Sequence, residues 1–389
     1  MNAQERLFQR ATEVELSQEQ IRRYSRHLLI PEVGIEGQQR LSVARVLVVG
    51  AGGLGVPVIQ YLAAAGIGKL TVVEPDQLEV SNLQRQTLYQ ETDAGKPKAV
   101  LVDEWARRYA TAGQVKTIES TLNPENAAEW VASHDLVIDA TDNFPARYLI
   151  NDACFLGERP YVYGSIYQFE GRVTFFWPSE GGPCYRCLHP DPPDPATVPG
   201  CGEGGVLGAL PGMIGSLMAM EAMKWITGSG ELLRGRLHHY DGLKGKTRET
   251  LFHRDTDCRL CGDHPTIQSL SWIEDSSRTP CSIAMPEISP AELDQRLSNG
   301  HPFQLLDVRQ PGEFQMGHLP KAVCIPLDLL LEKLPELGLA EEIVLYCKDM
   351  SRTRSAYQLL TQAGFDRVSA LEGGYDLWIE EVNSSLPAY

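Results

Sequence analysis

Short apolar runs alternate with stretches of helical composition through the first half of the chain. Residues 45–50, Arg-Val-Leu-Val-Val-Gly, form one such run, and Leu54–Ala65 follows it, so the pattern predicts a strand, a turn and a helix. Two further apolar runs end at Glu74 and at Asp142. Strands that alternate with helices are typical of a parallel, doubly wound α/β sheet, which we expect for the first domain.

The same alternation begins again after a stretch rich in serine and proline, residues 271–290, which has the composition of an exposed connector. Beyond it, Phe303–Asp307 and Ile343–Cys347 are predicted to be parallel strands, and Ser355–Ala363 a helix. The predicted divisions are a first domain over residues 1–270, a linker over residues 271–285 and a smaller second α/β domain over residues 286–389.

Composition and charge narrow the possible partners. Of the 389 residues, 43% are hydrophobic, and the formal net charge is −16, which opposes non-specific binding to nucleic acid or anionic lipid. The long apolar stretch Val206–Ile226 contains Pro211, Glu221 and Lys224, so we expect a buried helix and not a membrane span. Met1–Leu29 is polar and lacks the pattern of a secretory signal, which predicts a cytoplasmic protein.

A glycine-rich turn follows the first predicted strand and opens a helix. Its glycines are Gly50, Gly52, Gly53 and Gly55. A turn of this kind lets the backbone approach phosphate groups that sit at the helix N-terminus. On this evidence alone the site suits a dinucleotide as well, with Glu74 at the end of the second strand holding the ribose of NAD.

Polar residues beyond successive strands favour ATP over NAD. Ser81–Gln86, Gly95–Lys98 and Thr141–Asn143 supply two cations, an amide and a carboxylate. A triphosphate with Mg²⁺ needs this mixture, because cations neutralise charge that develops on the phosphates and an acid binds the metal. A hydride-transfer site has no such need.

At these motifs the chain resembles the E1-like activating enzymes of the MoeB/ThiF type, over about residues 15–270. The resemblance implies a Rossmann-like fold and adenylation of a protein carboxylate with ATP. It implies that Glu74 binds the ribose, although family members often carry aspartate there, and that Asp142 binds Mg²⁺. It also implies that Arg26 reaches into the partner subunit's site in a homodimer. The residues that it implies for the phosphates are Asn82, Arg85 and Lys98.

Four of the nine cysteines form two Cys-x-x-Cys pairs, a spacing that lets each pair grip one face of a tetrahedral Zn²⁺. They are Cys184, Cys187, Cys258 and Cys261. A redox role is the alternative, but neither pair follows the strand of a thioredoxin-like pattern. The MoeB-like resemblance implies that the zinc is structural and ties the C-terminal end of the domain to its body.

A single cysteine, Cys201, lies in a glycine-rich segment, Pro199–Gly205. Flexibility there suits a nucleophile that must reach an adenylate. In the E1-like proteins a cysteine at this position forms a thioester or an acyl disulfide with the carrier, so the resemblance implies such a role. The alternative is an unreactive thiol in a loop.

The second domain resembles the rhodanese homology domain, on the motifs Leu305–Arg309, Glu313–Phe314, Gly317–Pro320 and Cys347 at a strand end. A cysteine between strand and helix is surrounded by backbone N–H groups that stabilise a thiolate, and the resemblance implies that it carries a persulfide. Asp307 and Arg309 are expected to pair with each other.

The loop after this cysteine is Cys-Lys-Asp-Met-Ser-Arg, which ends at Arg352. Arginine at this spacing is typical of sulfurtransferases; related phosphatases need it one position later, where Thr353 stands. Arg354 follows closely, so either Arg352 or Arg354 can face the sulfur. An inactive docking module is the alternative interpretation of the domain.

The whole chain thus resembles the MoeZ-type fusions of MoeB and rhodanese, which are adenylyltransferases and sulfurtransferases. The resemblance implies a ubiquitin-like sulfur carrier with a C-terminal Gly-Gly, activated with ATP and converted to a thiocarboxylate. The sulfur donor is expected to be thiosulfate or a cysteine desulfurase. Two alternatives stay open: an enzyme that only adenylates while the second domain relays sulfur elsewhere, and a nucleotide-binding redox sensor.

Overall fold

A computed structural model describes residues 1–109, 114–192, 205–272, 285–338 and 342–389. These residues divide into two compact units. The first unit takes its described residues from 1–192 and 205–272, and the second takes them from 285–389. Cys201 and Cys281 lie outside the described residues.

The first unit is built on an eight-stranded sheet in the order β3-β2-β1-β4-β5-β6-β7-β8. Its strands are β1 Arg45–Val49, β2 Lys69–Val73, β3 Val115–Ile118, β4 Leu136–Asp139, β5 Tyr161–Tyr167, β6 Glu170–Phe176, β7 Arg236–Asp241 and β8 Lys246–Leu251. The first five strands are parallel, and β6 to β8 continue the sheet as antiparallel neighbours. This arrangement confirms the doubly wound α/β prediction.

Helices cover the sheet and place apolar faces against it. In chain order they are α1 Ala3–Ala11, α2 Gln18–Arg23, α3 Ser25–Leu28, α4 Gly34–Val43, α5 Gly55–Ala65, α6 Lys98–Tyr109, α7 Pro124–Ala132, α8 Phe144–Leu156, α9 Tyr185–Leu188 and α10 Ala209–Thr227. The predicted buried helix is α10, which packs against α5 and strands β5 and β6. None of the helices in the described ranges is both long enough and apolar enough to span a membrane.

The strand order creates a crevice between β1 and β4, because the chain leaves these neighbouring strands in opposite directions along the sheet. The glycine-rich turn follows β1, and Thr141-Asp142 follows β4. Glu74 follows β2, the other neighbour of β1. The carboxyl ends of three adjacent strands therefore bring the predicted nucleotide-binding residues to one edge of the sheet.

The second unit contains a five-stranded parallel sheet in the order β11-β10-β12-β13-β9. Its elements are β9 Glu287–Ile288, α11 Pro290–Ser298, β10 Gln304–Asp307, α12 Pro311–Met316, β11 Val323–Cys324, α13 Leu330–Lys333, β12 Ile343–Tyr346, α14 Ser351–Gln362, β13 Val368–Leu371 and α15 Gly374–Glu381. Cys347 directly follows β12, at the middle of the sheet.

Helix α14 begins four residues before the predicted start at Ser355. The carboxylate of Asp349 accepts hydrogen bonds from the backbone N–H of Ser351 at 2.8 Å and from its hydroxyl at 2.7 Å. An acceptor at this point satisfies a backbone donor that the first turn of a helix leaves unpaired. The helix therefore starts inside the six-residue loop that carries Cys347.

Candidate active sites

The glycine-rich turn has two glycines that the backbone itself requires. Gly50 has φ +99°, and a Cβ there would lie 2.8 Å from the carbonyl oxygen of Ala140. At Gly55, a Cβ would lie 2.0 Å from the carbonyl oxygen of Gly50. Side chains at these positions would separate β1, β4 and α5. Gly52 has more room, with one side-chain nitrogen at 3.6 Å, so its backbone is open to a ligand.

Glu74 fixes the turn from the end of β2. Its carboxylate accepts the N–H of Ala51 at 2.5 Å and that of Asp76 at 2.9 Å. Burial raises the pKa of Glu74, and the two N–H groups and nearby Lys98 act in the opposite direction. Tyr89, which the sequence did not single out, holds the turn from the other side, since its hydroxyl donates to the carbonyl of Ala51 at 2.8 Å.

The predicted cations lie beside the turn. Lys98 begins α6 and is only 5% exposed, with its Nζ 3.4 Å from a carboxylate oxygen of Asp76. The stem of Arg85 passes 3.6 Å from the position that a Cβ on Gly53 would take, and its guanidinium donates to the carbonyl of Ser81. A buried ammonium with a largely exposed acid as its partner suits a site that receives an anion.

Two more predicted residues are exposed. Asp142 follows β4 and precedes Asn143, whose side chain caps α8 by accepting the N–H of Ala146 at 2.9 Å. Arg26 lies exposed on α3. The neighbouring Tyr24 packs against Gly66, beyond the C-terminal end of α5, whereas the glycine-rich turn lies at its N-terminal end. A single chain therefore does not bring Arg26 to the turn.

The two Cys-x-x-Cys pairs meet in space. The four sulfur atoms of Cys184, Cys187, Cys258 and Cys261 lie within 4.8 Å of one another. The shortest cross-pair distances are 3.6 Å between Cys184 and Cys258 and 3.3 Å between Cys187 and Cys261. Four thiols at this separation surround one position, so the cluster can hold a metal ion in a tetrahedral site.

A buried polar network fastens the first cysteine pair to helix α8. Arg186, between the two cysteines, donates to both carboxylate oxygens of Asp152 at 2.8 Å and 2.7 Å. The N–H of Tyr185 donates to the side chain of Asn151 at 2.8 Å. The same helix begins just after Asp142. It therefore connects the cysteine cluster to the edge of the sheet that carries the predicted nucleotide-binding residues.

In the second unit, Cys347 is fully buried. The pKa of its thiol is raised above the usual value, chiefly by burial and also by the carboxylate of Asp349. The hydroxyl of Thr353 and the charge of Arg352 act in the opposite direction. The Thr353 hydroxyl donates to Sγ at 3.1 Å, and Sγ lies 3.6 Å from Asp349 Oδ1. Thr353 therefore contacts the sulfur. In the sequence alone, this position is notable only because it lacks the arginine of the phosphatases.

The two candidate arginines differ in their environment. Arg352 is buried and forms a two-pronged ion pair with Glu313, at 2.6 Å and 2.9 Å, while Arg354 is exposed. Arg352 is therefore the arginine whose charge acts on Cys347. The Asp307–Arg309 pair forms as predicted: Arg309 is fully buried, and its Nε lies 2.9 Å and 3.0 Å from the two carboxylate oxygens of Asp307.

One chain thus combines a doubly wound α/β domain that has a glycine-rich turn beside a buried lysine with a second α/β domain that has a buried cysteine at a strand end. The model of the ThiF family matches residues 24–260, and that of the rhodanese-like domain matches residues 289–381. The chain belongs to the ThiF family, in the branch that carries a rhodanese-like domain.

Curated relatives extend the match to both domains. The chain is 40% identical to the adenylyltransferase/sulfurtransferase MoeZ of Mycobacterium tuberculosis, over an alignment of 391 positions that covers 96% of each chain. It is 40% identical to the adenylyltransferase and sulfurtransferase MOCS3 of Sus scrofa, over 96% of this chain and 89% of the relative. The protein is thus an enzyme of the adenylyltransferase/sulfurtransferase class.

Two further comparisons concern the first domain. A Thermus thermophilus protein named sulfur carrier protein adenylyltransferase is 50% identical over 258 residues, 65% of this chain and 95% of its own. A crystal structure of E. coli MccB has a TM-score of 0.55 at 22% identity, over 64% of this chain and 76% of that one. The second likeness concerns the fold alone.

We predict that replacing Cys258 with serine abolishes metal binding at the four-cysteine cluster, because three thiolates remain where a structural site needs four ligands. The metal content of the purified protein should fall to background by plasma mass spectrometry, and the melting temperature should fall by about 5 °C or more. Cys324→Ser, at a half-buried single cysteine of the second unit, should change neither. Equal metal content in both variants would contradict the assignment.

We predict that Thr353→Val raises the pKa of Cys347 further, since the variant keeps the side-chain shape but removes the hydroxyl that donates to Sγ. Alkylation of Cys347 by iodoacetamide, followed by peptide mass spectrometry, should be slow at neutral pH in both proteins and increase as the pH rises. The rise should occur at higher pH in the variant. A variant that titrates at the same pH as the wild type would show that the contact has no electrostatic effect.

Proposed function

We propose that the enzyme adenylates the C-terminal carboxylate of a ubiquitin-like sulfur carrier protein and then converts it to a thiocarboxylate with sulfur carried on Cys347. The observation that supports this most is the presence, in one chain, of the buried cation beside the glycine-rich turn and the buried thiol at the end of β12. Joining both activities in one chain raises the local concentration of the persulfide near the activated carboxylate.

In the first step, the carrier carboxylate attacks the α-phosphate of ATP and pyrophosphate leaves. We assign the ribose to Glu74, which contacts the turn, and the phosphates to Arg85 and Lys98, which supply positive charge, together with the neutral amide of Asn82. The reaction needs chiefly positioning and neutralisation. The exposed carboxylate of Asp142 would hold Mg²⁺, which neutralises phosphate charge.

The four-cysteine cluster fits Zn²⁺ by its donor set, because four thiolates in tetrahedral arrangement are the ligands of structural zinc. We assign it a structural role. In that role Cys184 and Cys187 on one side and Cys258 and Cys261 on the other join the C-terminal end of the first domain to α8 and α9 through the Arg186–Asp152 ion pair.

In the second step, the outer sulfur of the Cys347 persulfide attacks the acyl-adenylate, and AMP leaves. The carrier is then held as an acyl disulfide on Cys347, and a second thiol must attack the Sγ of Cys347. This attack releases the carrier thiocarboxylate and leaves a disulfide. Cys201 is our candidate for the covalent partner of the carrier or for this thiol. Before this step, Thr353 and Arg352 would stabilise the Cys347 thiolate that accepts sulfur from the donor.

The carrier assignment is supported by the Thermus thermophilus relative, whose name specifies a sulfur carrier protein. A carrier that ends in Gly-Gly is narrow enough to enter a crevice floored by a glycine-rich turn. We propose thiosulfate or a cysteine desulfurase as the donor. We also propose the domain limits 1–270 and 286–389 with a linker between them. A cytoplasmic location agrees with the free thiols of all cysteines in the described ranges.

We further propose a homodimer in which Arg26 completes the partner's site. Arg26 is exposed and remote from its own glycine-rich turn, as the position of Tyr24 beside Gly66 shows. Helix α4 packs against both α3 and α10, and this region carries exposed large apolar side chains. They are Leu29, Ile30, Ile35, Met213 and Met220. Apolar surface of this kind is typical of a subunit interface.

We predict that Arg26→Ala and Lys98→Ala each reduce ATP–pyrophosphate exchange by at least about 100-fold, and that mixing the two variants restores part of the activity. A mixed dimer contains one intact site, which combines Lys98 of the Arg26→Ala subunit with Arg26 of the Lys98→Ala subunit. Mixing each variant with itself is the control. No recovery, with subunit exchange verified by native mass spectrometry, would place Arg26 in its own subunit's site or outside any site.

The whole function is tested by intact-mass spectrometry of a Gly-Gly carrier incubated with the enzyme, Mg²⁺, ATP and thiosulfate or a desulfurase persulfide. We predict that the carrier gains one sulfur in place of one oxygen. Cys347→Ala should abolish the gain and leave pyrophosphate exchange unchanged, while Cys324→Ala should preserve both. Loss of exchange in Cys347→Ala would contradict the assignment of adenylation to the first domain, and a gain of sulfur without Cys347 would contradict the role of Cys347. Exchange with no gain of sulfur in the wild type would support the adenylation-only alternative.

A further inference from the structure

Gln86 lies against the glycine-rich turn, and no role has been given to it so far. It is 3% exposed and follows Arg85. Its backbone N–H donates to the carbonyl of Asn82 at 3.0 Å, which directs the side chain inward. The Nε2 of its carboxamide lies 3.6 Å from the position that a Cβ on Gly52 would take. The amide therefore adjoins the part of the turn that is open to a ligand.

Both backbone polar groups of Ala51, in this turn, have partners. The N–H of Ala51 donates to Glu74, and its carbonyl accepts from Tyr89. Gln86 differs, because its buried Oε1 has no hydrogen-bond partner among the residues that the structure describes. A buried acceptor without a donor is costly, and in a folded protein it calls for a missing partner.

The chemistry of the groups that react at this site narrows the choice of that partner. Phosphate oxygens and a carboxylate are acceptors, so neither ATP phosphates nor the reacting carboxylate can donate to Oε1. The group on the carrier that donates closest to the carboxylate is the peptide N–H of its last residue. A carboxamide can accept from this N–H through Oε1 and donate to an adjacent carboxylate or phosphate oxygen through Nε2.

We propose that Gln86 binds the terminal peptide of the carrier, with Oε1 accepting the N–H of its last residue, and so orients the carboxylate toward the α-phosphate. This proposal rests on the function proposed above. A neutral amide suits the position, because Arg85 and Lys98 already supply the positive charge, and an acid would repel both substrates. Gln86 is thus a substrate-binding residue that takes no proton and forms no bond.

Gln86→Met tests the proposal, because methionine has a similar shape and no hydrogen-bonding amide. The expected result is a rise of about tenfold or more in the carrier KM for pyrophosphate exchange, with the ATP KM within about twofold of wild type. The melting temperature should stay the same or rise, since the free protein loses no hydrogen bond from Oε1. Gln86→Glu should impair the carrier step further by charge repulsion.

A matched control is Gln114→Met. Gln114 precedes β3, at the end of the sheet opposite the site, and its Oε1 is likewise buried and without a partner in the described part of the chain. This variant should keep wild-type kinetics for both substrates. An equal carrier effect in Gln86→Met and Gln114→Met would overturn the proposal, because it would show a general effect on folding.

A carrier in which glycolate replaces the last glycine removes only the N–H. With wild-type enzyme its KM should rise by about as much as Gln86→Met raises that of the normal carrier. With Gln86→Met the ester should cause little further change. Independent, additive effects, or an effect of Gln86→Met on the ATP KM alone, would overturn the assignment. No exchange by the wild type with any Gly-Gly carrier would instead refute the proposed function, and this inference with it.

Discussion

The close approach of β1 and β4 at the ends of the two strands is the constraint on which the first unit depends. Gly50 lies so near the carbonyl of Ala140 that a Cβ has no place there, and Gly55 lies still closer to the carbonyl of Gly50. With these contacts, the helix that follows β1 starts at the crevice, where its N-terminal N–H groups can receive an anion. Glu74 and Tyr89 then hold the turn from two sides. The stem of Arg85 passes beside this fixed turn, and the charge of Lys98 acts on Glu74.

The second unit uses charge pairs where the first uses close packing. Arg309 is fully buried, and it is compensated by Asp307 and by a hydrogen bond to the hydroxyl of Tyr389 at 2.5 Å. That hydroxyl donates in turn to Glu313, which holds Arg352. Breaking a buried pair of this kind leaves an uncompensated charge, so each pair restrains the next. The loop that carries the reactive sulfur is consequently positioned by a chain of ion pairs.

These restraints explain how one thiol can be both buried and chemically useful. Burial makes the charged form of Cys347 unfavourable, and the Thr353 hydroxyl and the Arg352 charge partly offset that penalty. Since Glu313 neutralises much of the Arg352 charge, the local field at the sulfur is moderate. Without these two groups, burial would disfavour the thiolate of Cys347 still more.

The sequence by itself determined the fold class, the two-domain order and the types of residue that the sites contain. Alternating apolar runs, glycines after a strand and paired cysteines are local signals, because strand, turn and metal-ligand chemistry each depend on residues close together in the chain. It correctly paired Asp307 with Arg309, two residues apart. The start of α14 was missed, because Asp349 caps it from within a loop whose pattern is not helical.

Only the tertiary structure decided which residues from distant segments meet. It selected Arg352 over Arg354, because α14 turns the first toward Glu313 and the second toward solvent. It joined two cysteine pairs whose closest contact links residues 74 positions apart. It also revealed that the buried Oε1 of Gln86 has no hydrogen-bond partner in the described part of the chain, since whether a polar group has a partner depends on everything packed around it. Contacts of this kind follow from chain packing in three dimensions, which short sequence patterns do not encode.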